Sequence, residues 1–442
     1  MMNRPHWICL LIGLMGLGQS AHAQFSYYTS NGGIIISGYD CSGEDAVIPG
    51  TINDLPVTGI AHSAFQGCSL LRSVSIPGTI TNIGRASFAV CTNLTDVVIP
   101  HSVLQLESSV FEGCTSLASL TLSGNLTRLG RRAFHGCHSL TNVTIPASLA
   151  VMGDEVFEGC TRLTEIRVDA LNSSFSSVDG VLLDNSQTML IQYPPGKPGD
   201  YAIPDGVTAI ADKAFYGSPM LLSVSMPNTV TNGGYASFAA CSNLTSATIS
   251  SNITNIKLGM FWRCTSLTHV SMPDSIRTIG EEAFDNCTSL LTVTIPARVT
   301  HIEDFAFNEC TNLVSIYFLG STPVLGEEEE GEEEHVFAKA DQAIIYYLPG
   351  TLNWGPEFGG RPTALWKPEI LTGDGTFGVV SSQFGFTVSW ADGRSVVVEA
   401  CSDLENPVWT TVDSNLISGG SYHFIDPATE DHAIRFYRVR MP

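Results

Sequence analysis

Three residues that lie close together in the chain, His135, Cys137 and His138, have side chains of the types that bind zinc in proteins. Imidazole nitrogens and thiolate sulfurs are the usual ligands of a tetrahedral zinc site. However, Cys137 is one of nine cysteines that share a single phase of a 23-residue repeat, whereas neighbouring repeats place unrelated residues at the positions of His135 and His138. This pattern indicates a structural cysteine between two variable turn residues. We therefore predict no metal site and no cofactor.

Catalysis by a hydrolytic mechanism would need a nucleophile, a base or paired carboxylates held together in a pocket. The chain contains no Gly-x-Ser-x-Gly, no His-Glu-x-x-His and no phosphate-binding loop, and these motifs mark the common sites of that kind. The sequence therefore predicts a protein that is not an enzyme. The alternative left open is a site assembled from residues distant in sequence.

An acidic run, Glu327 to Glu330 and Glu332 to Glu334, could attract cations. A tight calcium loop needs a fixed turn with alternating acids, which this run lacks. Residues 326–334 are therefore predicted to form a solvated acidic loop, with diffuse cation attraction as the alternative.

The elements that position these residues follow from a repeat of 23 residues. A Phe followed three positions later by Cys, or once by Ser, occurs in ten units of one phase, from Phe65 to Phe307. Between one Phe/Cys pair and the next, the apolar spacing of Leu94, Val97 and Ile99 predicts a short strand, which Pro100 ends. Such a unit cannot bury its apolar residues alone, so we expect stacked coils with a continuous core.

Stacking of the coils also accounts for the cysteines. Residues of one phase lie about 4.8 Å apart on adjacent coils, so the nine cysteines should form a buried column of thiols. Side chains stacked in parallel seldom have disulfide geometry, yet an exported protein is exposed to oxidation, so a few bridges between coils remain an alternative. Cys41 and Cys401 fall outside the column.

The unit Ala86 to Pro100 resembles the BspA-type leucine-rich-repeat family, whose repeats carry the signature Ala-Phe-x-x-Cys-x-x-Leu-x-x-Val-x-Ile-Pro. The resemblance covers roughly Phe25 to Pro349. It implies a right-handed leucine-rich-repeat solenoid with one parallel β-strand per unit, and a surface-exposed, adhesive bacterial protein. Long units that bear a hairpin also occur in this family.

The complete domain prediction combines the repeat with the flanking sequence. A small β-sandwich-like domain is expected at the C-terminus because strand-like alternation, as in Phe384 to Trp390, is separated by turn residues. The predicted segments are a signal peptide at 1–23, a capping coil at 24–64, the solenoid at 65–350 with a hairpin insertion near 169–202, a linker at 351–369 and the C-terminal β-domain at 370–442.

Composition and the first residues indicate where the protein acts. Arg4, the apolar run Ile8 to Leu17 and the small-residue triplet at 21–23 predict a signal for export. No later run is long enough to cross a membrane as a helix. The formal charge of −22 and only 21 Lys and Arg residues argue against a nucleic-acid partner.

Two columns of mostly hydroxyl and small polar residues should line the exposed side of the strands. Ser and Thr suit a solvated strand without any further role, and that is one interpretation. The other is a recognition face made of many weak contacts. The candidate binding residues are those in the two columns that are charged or aromatic instead of small and polar: Asp96, Glu165, Arg167, His269 and Tyr317.

The sequence therefore favours a non-catalytic, secreted or cell-surface protein that recognises an extracellular protein or glycan through the solenoid. The alternative is a carbohydrate-binding or envelope-structural module that acts through the C-terminal β-domain. Aromatic residues suit sugar binding, and that domain contains Trp390, Trp409, Tyr422 and Tyr437.

Overall fold

The computed structural model describes residues 24–326, 336–380, 383–404, 407–426 and 435–441. These residues form a solenoid of short strands followed by a C-terminal β-domain, and they contain no α-helix. The predicted signal peptide, and all of the predicted acidic loop except Gly326, lie outside the described residues.

The described residues form thirty-eight strands, numbered in chain order. The first block of coils contains β1 (Phe25–Ser30), β2 (Gly33–Tyr39), β3 (Asp45–Val47), β4 (Thr51–Ile52), β5 (Leu55–Ile60), β6 (Ser73–Ser75), β7 (Asn82–Ile83), β8 (Asp96–Val98), β9 (Gln105–Leu106), β10 (Ser119–Thr121), β11 (Arg128–Leu129), β12 (Asn142–Ile145), β13 (Val151–Met152) and β14 (Glu165–Val168). The insertion and the second block contain β15 (Phe175–Val178), β16 (Val181–Asp184), β17 (Met189–Gln192), β18 (Gly199–Ala202), β19 (Ala209–Ile210), β20 (Leu221–Ser225), β21 (Ser246–Thr248), β22 (Asn255–Ile256), β23 (His269–Ser271), β24 (Thr278–Ile279), β25 (Thr292–Ile295), β26 (His301–Ile302), β27 (Ser315–Phe318), β28 (Val324–Leu325) and β29 (Ile344–Tyr347). The remaining strands are β30 (Glu357–Phe358), β31 (Arg361–Leu365), β32 (Glu369–Leu371), β33 (Gly378–Val380), β34 (Gln383–Ser389), β35 (Ser395–Cys401), β36 (Thr410–Leu416), β37 (Ser421–Ile425) and β38 (Phe436–Arg440).

The coil predicted from the 23-residue repeat is confirmed. In the unit that contains β8, Leu94, Val97 and Ile99 are at most 2% exposed, and β8 pairs in parallel with β10 of the next coil, Asp96 opposite Ser119. Most of these units also add a second short strand, such as β9, that was not predicted, whereas the coil of Phe215 has only an isolated bridge at Asn232. The solenoid therefore has two rows of parallel strands, with the Phe and Cys turns between them.

The phenylalanines of the repeat form an aromatic column inside the solenoid. Neighbouring rings from Phe65 to Phe157 have centroids 4.7 to 5.9 Å apart. In the second block the column runs from Tyr193, which takes the place of a phenylalanine, through Phe307 to Phe337. Phe337 was not identified from the spacing, because the acidic residues lengthen its interval from Phe307 to 30, although the predicted solenoid did extend to residue 350.

The cysteines of the repeat form the predicted buried column, and each free thiol has a backbone partner. Cys91 Sγ donates to the carbonyl oxygen of Phe65 at 3.1 Å, and the same bond recurs for seven other cysteines. Burial raises the pKa of the thiols of Cys137, Cys264 and Cys287 well above the ordinary range, and it raises the pKa of Cys160, Cys241 and Cys310 to about 12. They are therefore protonated packing residues at neutral pH.

Among the cysteines that the structure describes, one disulfide is formed, between Cys41 and Cys68. Cys68 is the first member of the thiol column and Cys41 lies outside it, so this bridge joins the N-terminal coil to the repeats. The general expectation that stacked cysteines remain unbridged still describes the other members of the column.

The insertion lies inside the stack. Strands β15, β16 and β17 form an antiparallel meander, and β17 then pairs in parallel with β19. Leu182 packs into the core of the first block, whereas Val181 and Leu183 pack into the core of the second block. Because alternate residues of a strand point to opposite faces, β16 is a buried partition between two separate cores.

The segment 351–369, predicted as a linker, instead extends the solenoid. Strand β31 pairs with β29, and β30 pairs with β31. Trp354 contacts Phe318, Tyr347 and Phe358, so this segment covers the apolar end of the last coil.

The C-terminal β-domain consists of two antiparallel sheets. One joins β32, β33 and β37 to β34, and the other joins β36 and β38 to β35. Buried residues of both sheets, including Phe386, Val396 and Phe424, share one core with Leu348 of the solenoid. The domain is therefore packed directly onto the last coils.

Candidate functional site

One of the two rows consists of the longer strands, such as β8, β10, β21 and β23, and is called the longer strand row; its exposed side is called the strand face. The strand face carries the two polar columns expected from the sequence. In parallel register, Ser223, Ser246 and His269 are neighbours in one column, and Ser225, Thr248 and Ser271 are neighbours in the other. The residue between them on each strand is directed into the core, as with Ala247 at 1% exposure. Strand pairing thus holds the exposed side chains at a fixed spacing of about 4.8 Å.

The five candidate residues all lie on this row, but they do not form one cluster. Asp96 lies three coils before Glu165, which corresponds to about 14 Å along the stack. The insertion separates these residues from His269 and Tyr317, because the sheet of β12 and β14 ends before the sheet that begins at β18. The strand face therefore consists of two polar surfaces, one in each block.

Glu165 and Arg167 form an ion pair with each other. The guanidinium nitrogen lies 2.7 Å from the Glu165 carboxylate, and both side chains are well exposed. The hydrogen bond from Arg167 lowers the pKa of Glu165. Because each charge already has a partner, these residues form a neutral polar pair, and a pair of this exposure contributes little to stability.

His269 is exposed, and its ring has no hydrogen bond or ion pair with any residue that the structure describes. Asp96 is exposed and accepts a hydrogen bond from the Thr95 hydroxyl at 3.0 Å. Both side chains can meet a partner at the surface.

Tyr317 lies at the C-terminal end of the strand face, in a groove of about 530 Å³ between the solenoid and the C-terminal β-domain. Its ring stacks on Tyr346 at 5.3 Å and contacts Trp366 at 4.4 Å between centroids. The sequence identified Tyr317 alone, because Tyr346 lies beyond the regular 23-residue spacing and Trp366 lies in the predicted linker.

A second cavity, of about 600 Å³, lies at the insertion between the two blocks. Apolar side chains such as Val156 and Phe175 line it beside Glu155. Burial raises the pKa of Glu155, but hydrogen bonds from Lys213, Arg132 and Arg131 outweigh burial and lower it to about 2. Lys213 belongs to the second block, so this ion cluster connects the two blocks.

The side chains of His135, Cys137 and His138, which have zinc-binding groups, do not come together at one point. Cys137 Sγ is buried and donates to the carbonyl of Phe111 at 3.3 Å, while His135 lies between Glu112 and Glu158 at 3.8 and 3.6 Å. Within the described ranges, no group of three His, Cys, Asp or Glu side chains has an arrangement that could hold a metal ion. Among the same residues, no helix is long and apolar enough to cross a membrane.

The repeats match the sequence profile of the family described as "BspA type Leucine rich repeat region". Six copies cover residues 42–186 and 199–321, which is more than half of the chain. No curated protein matches the sequence.

Solved bacterial structures resemble the fold. A leucine-rich cell surface protein from Faecalibacterium prausnitzii A2-165 is 27% identical, with a TM-score of 0.55 over 68% of this chain and 94% of that one. The pneumococcal vaccine antigen PcpA is 18% identical, with a TM-score of 0.62 over 78% of this chain and 97% of that one. At that identity the second likeness concerns the fold alone.

Proposed function

Because the chain belongs to the BspA-type leucine-rich repeat family, we propose that it is a non-catalytic extracellular recognition protein. Its partner is a macromolecule, either a protein or a glycan, and its binding surface is the exposed side of the longer strand row. The observation that carries this proposal is the pair of in-register polar columns, since repeat scaffolds of this kind bind through extended surfaces.

Several features support a location outside the cell. Residues 1–23 have the composition of an export signal. The Cys41–Cys68 disulfide is typical of proteins that fold in an oxidising compartment. The similar protein from Faecalibacterium prausnitzii is described as a cell surface protein. Secretion or surface display is therefore part of the proposal.

The two blocks differ in whether charged side chains of this face are already paired with each other. In the first block, Glu165 and Arg167 neutralise each other beside the insertion. In the second block, Ser246, Thr248 and His269 form no side-chain hydrogen bonds to other described residues. We therefore place the principal contact surface around β21 and β23.

The test is a binding screen of residues 24–442 against purified extracellular proteins and polysaccharides. For every partner that binds, Thr248→Arg is compared with Asn255→Arg, which introduces the same charge in the same coil. Thr248 is exposed on the longer strand row, and Asn255 is exposed on β22 of the other row. Binding that is lost with Thr248→Arg and kept with Asn255→Arg supports the proposal, whereas equal binding by both variants contradicts it.

A further inference from the structure

The groove between the solenoid and the C-terminal β-domain has the composition of a small-ligand site. Its volume of about 530 Å³ lies within the range of about 300 to 1,000 Å³ typical of ligand pockets. One wall belongs to the last strands of the solenoid, and the other to the start and the turns of the C-terminal domain. The wall residues that matter for binding are Tyr317, Tyr346 and Trp366 on the solenoid side and Lys367, Glu369 and Asp392 on the other.

Three half-buried aromatic rings form the apolar surface of the groove. Tyr317 and Tyr346 are register partners on β27 and β29, and Trp366 follows β31 and touches Tyr317. On the preceding strand, the register partner of Tyr317 is the smaller Thr294. The difference in size leaves space beside the Tyr317 ring, where a ligand can stack.

Trp366 also packs against the core of the C-terminal domain, whereas Tyr317 and Tyr346 belong to none of the core clusters of the described residues and do not close the solenoid. That role belongs to Trp354 and Phe358, which contact Phe318 at the end of the last coil. The aromatic residues that the sequence placed in the C-terminal domain are also engaged within it. Trp390 is 6% exposed, and the guanidinium of Arg438 lies over Trp409 at 4.4 Å.

The polar groups around the rings are available to a ligand. The hydroxyls of Tyr317 and Tyr346 and the charged ends of Lys367 and Glu369 have no hydrogen bond or ion pair with any described residue. Asp392 accepts one hydrogen bond, from the Gly419 amide at 2.8 Å. The groove therefore combines an apolar surface with carboxylate acceptors and hydroxyl groups.

From this arrangement we infer that the groove binds a neutral saccharide. The C–H face of a pyranose packs against an aromatic ring, and its hydroxyls donate to carboxylates such as Glu369 and Asp392. A proline-rich peptide is another ligand class that aromatic grooves bind, but it offers fewer hydrogen-bond donors to the two carboxylates than a sugar does, because proline has no backbone N–H. The carboxylates of Glu369 and Asp392 therefore favour a sugar over a proline-rich peptide.

The central ring is held in place before a ligand arrives. The Trp366 amide donates to the Tyr347 carbonyl at 2.8 Å, and the Trp366 carbonyl accepts from the Trp390 indole at 3.3 Å. Backbone contacts to the solenoid on one side and to the C-terminal domain on the other thus fix Trp366. A site fixed in this way avoids part of the entropic cost of ordering its side chains on binding.

The experiment is a titration of the protein of residues 24–442 with neutral di- and trisaccharides of glucose, mannose, galactose and N-acetylglucosamine. Calorimetry measures the affinity, and tryptophan fluorescence gives a second readout because Trp366 lies in the groove. We expect saturable binding of at least one sugar. Tyr317→Ala should weaken that binding roughly tenfold through the loss of ring contact, and Glu369→Gln should weaken it at least threefold.

Tyr28→Ala is the matched control, because Tyr28 is 51% exposed on β1 at the other end of the chain. It should leave sugar affinity unchanged, and melting curves establish that each variant is folded. Thr248→Arg lies outside the groove, so it separates this site from recognition by the strand face. The absence of binding by every sugar, equal binding by Tyr317→Ala, or saturable binding of polyproline in their place would overturn the inference.

Discussion

Lys213 Nζ lies 2.9 Å from a carboxylate oxygen of Glu155, across the insertion that divides the solenoid. The two residues belong to different blocks, and their cores are separate clusters. In a repeat protein, stability is approximately a sum of contacts between neighbouring coils. This ion pair therefore acts at the boundary where the repeating contacts are interrupted.

Replacement of Lys213 by methionine should destabilise that boundary. Arg131 and Arg132 would still neutralise Glu155, and Lys213 is 38% exposed, so solvent screening limits the expected loss to about 1 kcal/mol. Thermal unfolding measures the loss, and hydrogen exchange should show it around 155–158 and 211–215. Lys257→Met is the control, because Lys257 lies over the Tyr235 ring and forms no ion pair with a described residue. An equal loss in the two variants would contradict the role of the pair.

The same cluster predicts an acid-dependent contribution to stability. The folded-state pKa of Glu155 is about 2, below its ordinary value of 4.5. A lowered pKa stabilises the folded protein at pH values above the unfolded-state pKa, and that contribution disappears as the pH falls through the folded-state pKa. Wild type should therefore exceed Glu155→Gln in stability at pH 7, and the difference should shrink between about pH 4.5 and pH 2. Urea unfolding at a series of pH values measures it, and a constant difference would refute the linkage.

Ser218 replaces cysteine in the thiol column, and its buried hydroxyl has no hydrogen-bond partner in the described part of the chain. An unsatisfied buried hydroxyl costs about 1 to 3 kcal/mol, so Ser218→Cys should raise stability by about 1 kcal/mol. The reverse change in the next coil, Cys241→Ser, removes the thiol that donates to Phe215 and should lower it. Melting temperatures of both variants test this, and a loss of stability in Ser218→Cys would show that the site prefers serine.

The disulfide at the N-terminal end should stabilise the first coils. It joins residues 27 apart, and closing a loop of that size contributes roughly 3 kcal/mol in the chain-entropy description. The double variant Cys41→Ser, Cys68→Ser should melt at a lower temperature than wild type. A reductant should lower the wild-type melting temperature to that of the variant and leave the variant unchanged. If reductant shifts both proteins equally, the bridge is not the cause.

The repeat made much of the fold predictable, since a strict interval of 23 residues fixes which side chains stack. Prediction failed where that interval changed. Phe337 was missed because acidic residues separate it from Phe307, and Tyr193 was missed because it replaces phenylalanine after a long unit. The predicted linker was assigned by its Gly and Pro content, although β31 adds to the last coil.

The candidate site was less predictable because it depends on contacts between distant segments. Glu165 and Arg167 lie two positions apart on one strand face, so their pairing could have been predicted from the alternation of side chains. The groove around Tyr317 could not, since Trp366 and Asp392 reach it from outside the repeats. Sequence periodicity therefore predicts which coil each candidate residue occupies, whereas the groove around Tyr317 depends on how the C-terminal domain packs against the solenoid.

The central claim is that the longer strand row is the recognition surface, and an arginine scan of its exposed positions tests it most directly. Thr121, Thr144, Thr248 and Ser271 are exposed on this row. The affinity of each arginine variant for a partner found in the screen is measured by surface plasmon resonance beside Asn255→Arg. We predict losses of about tenfold or more, which correspond to about 1.4 kcal/mol, at Thr248 and Ser271, with Asn255→Arg unchanged. Wild-type affinity in all four strand variants would contradict the claim.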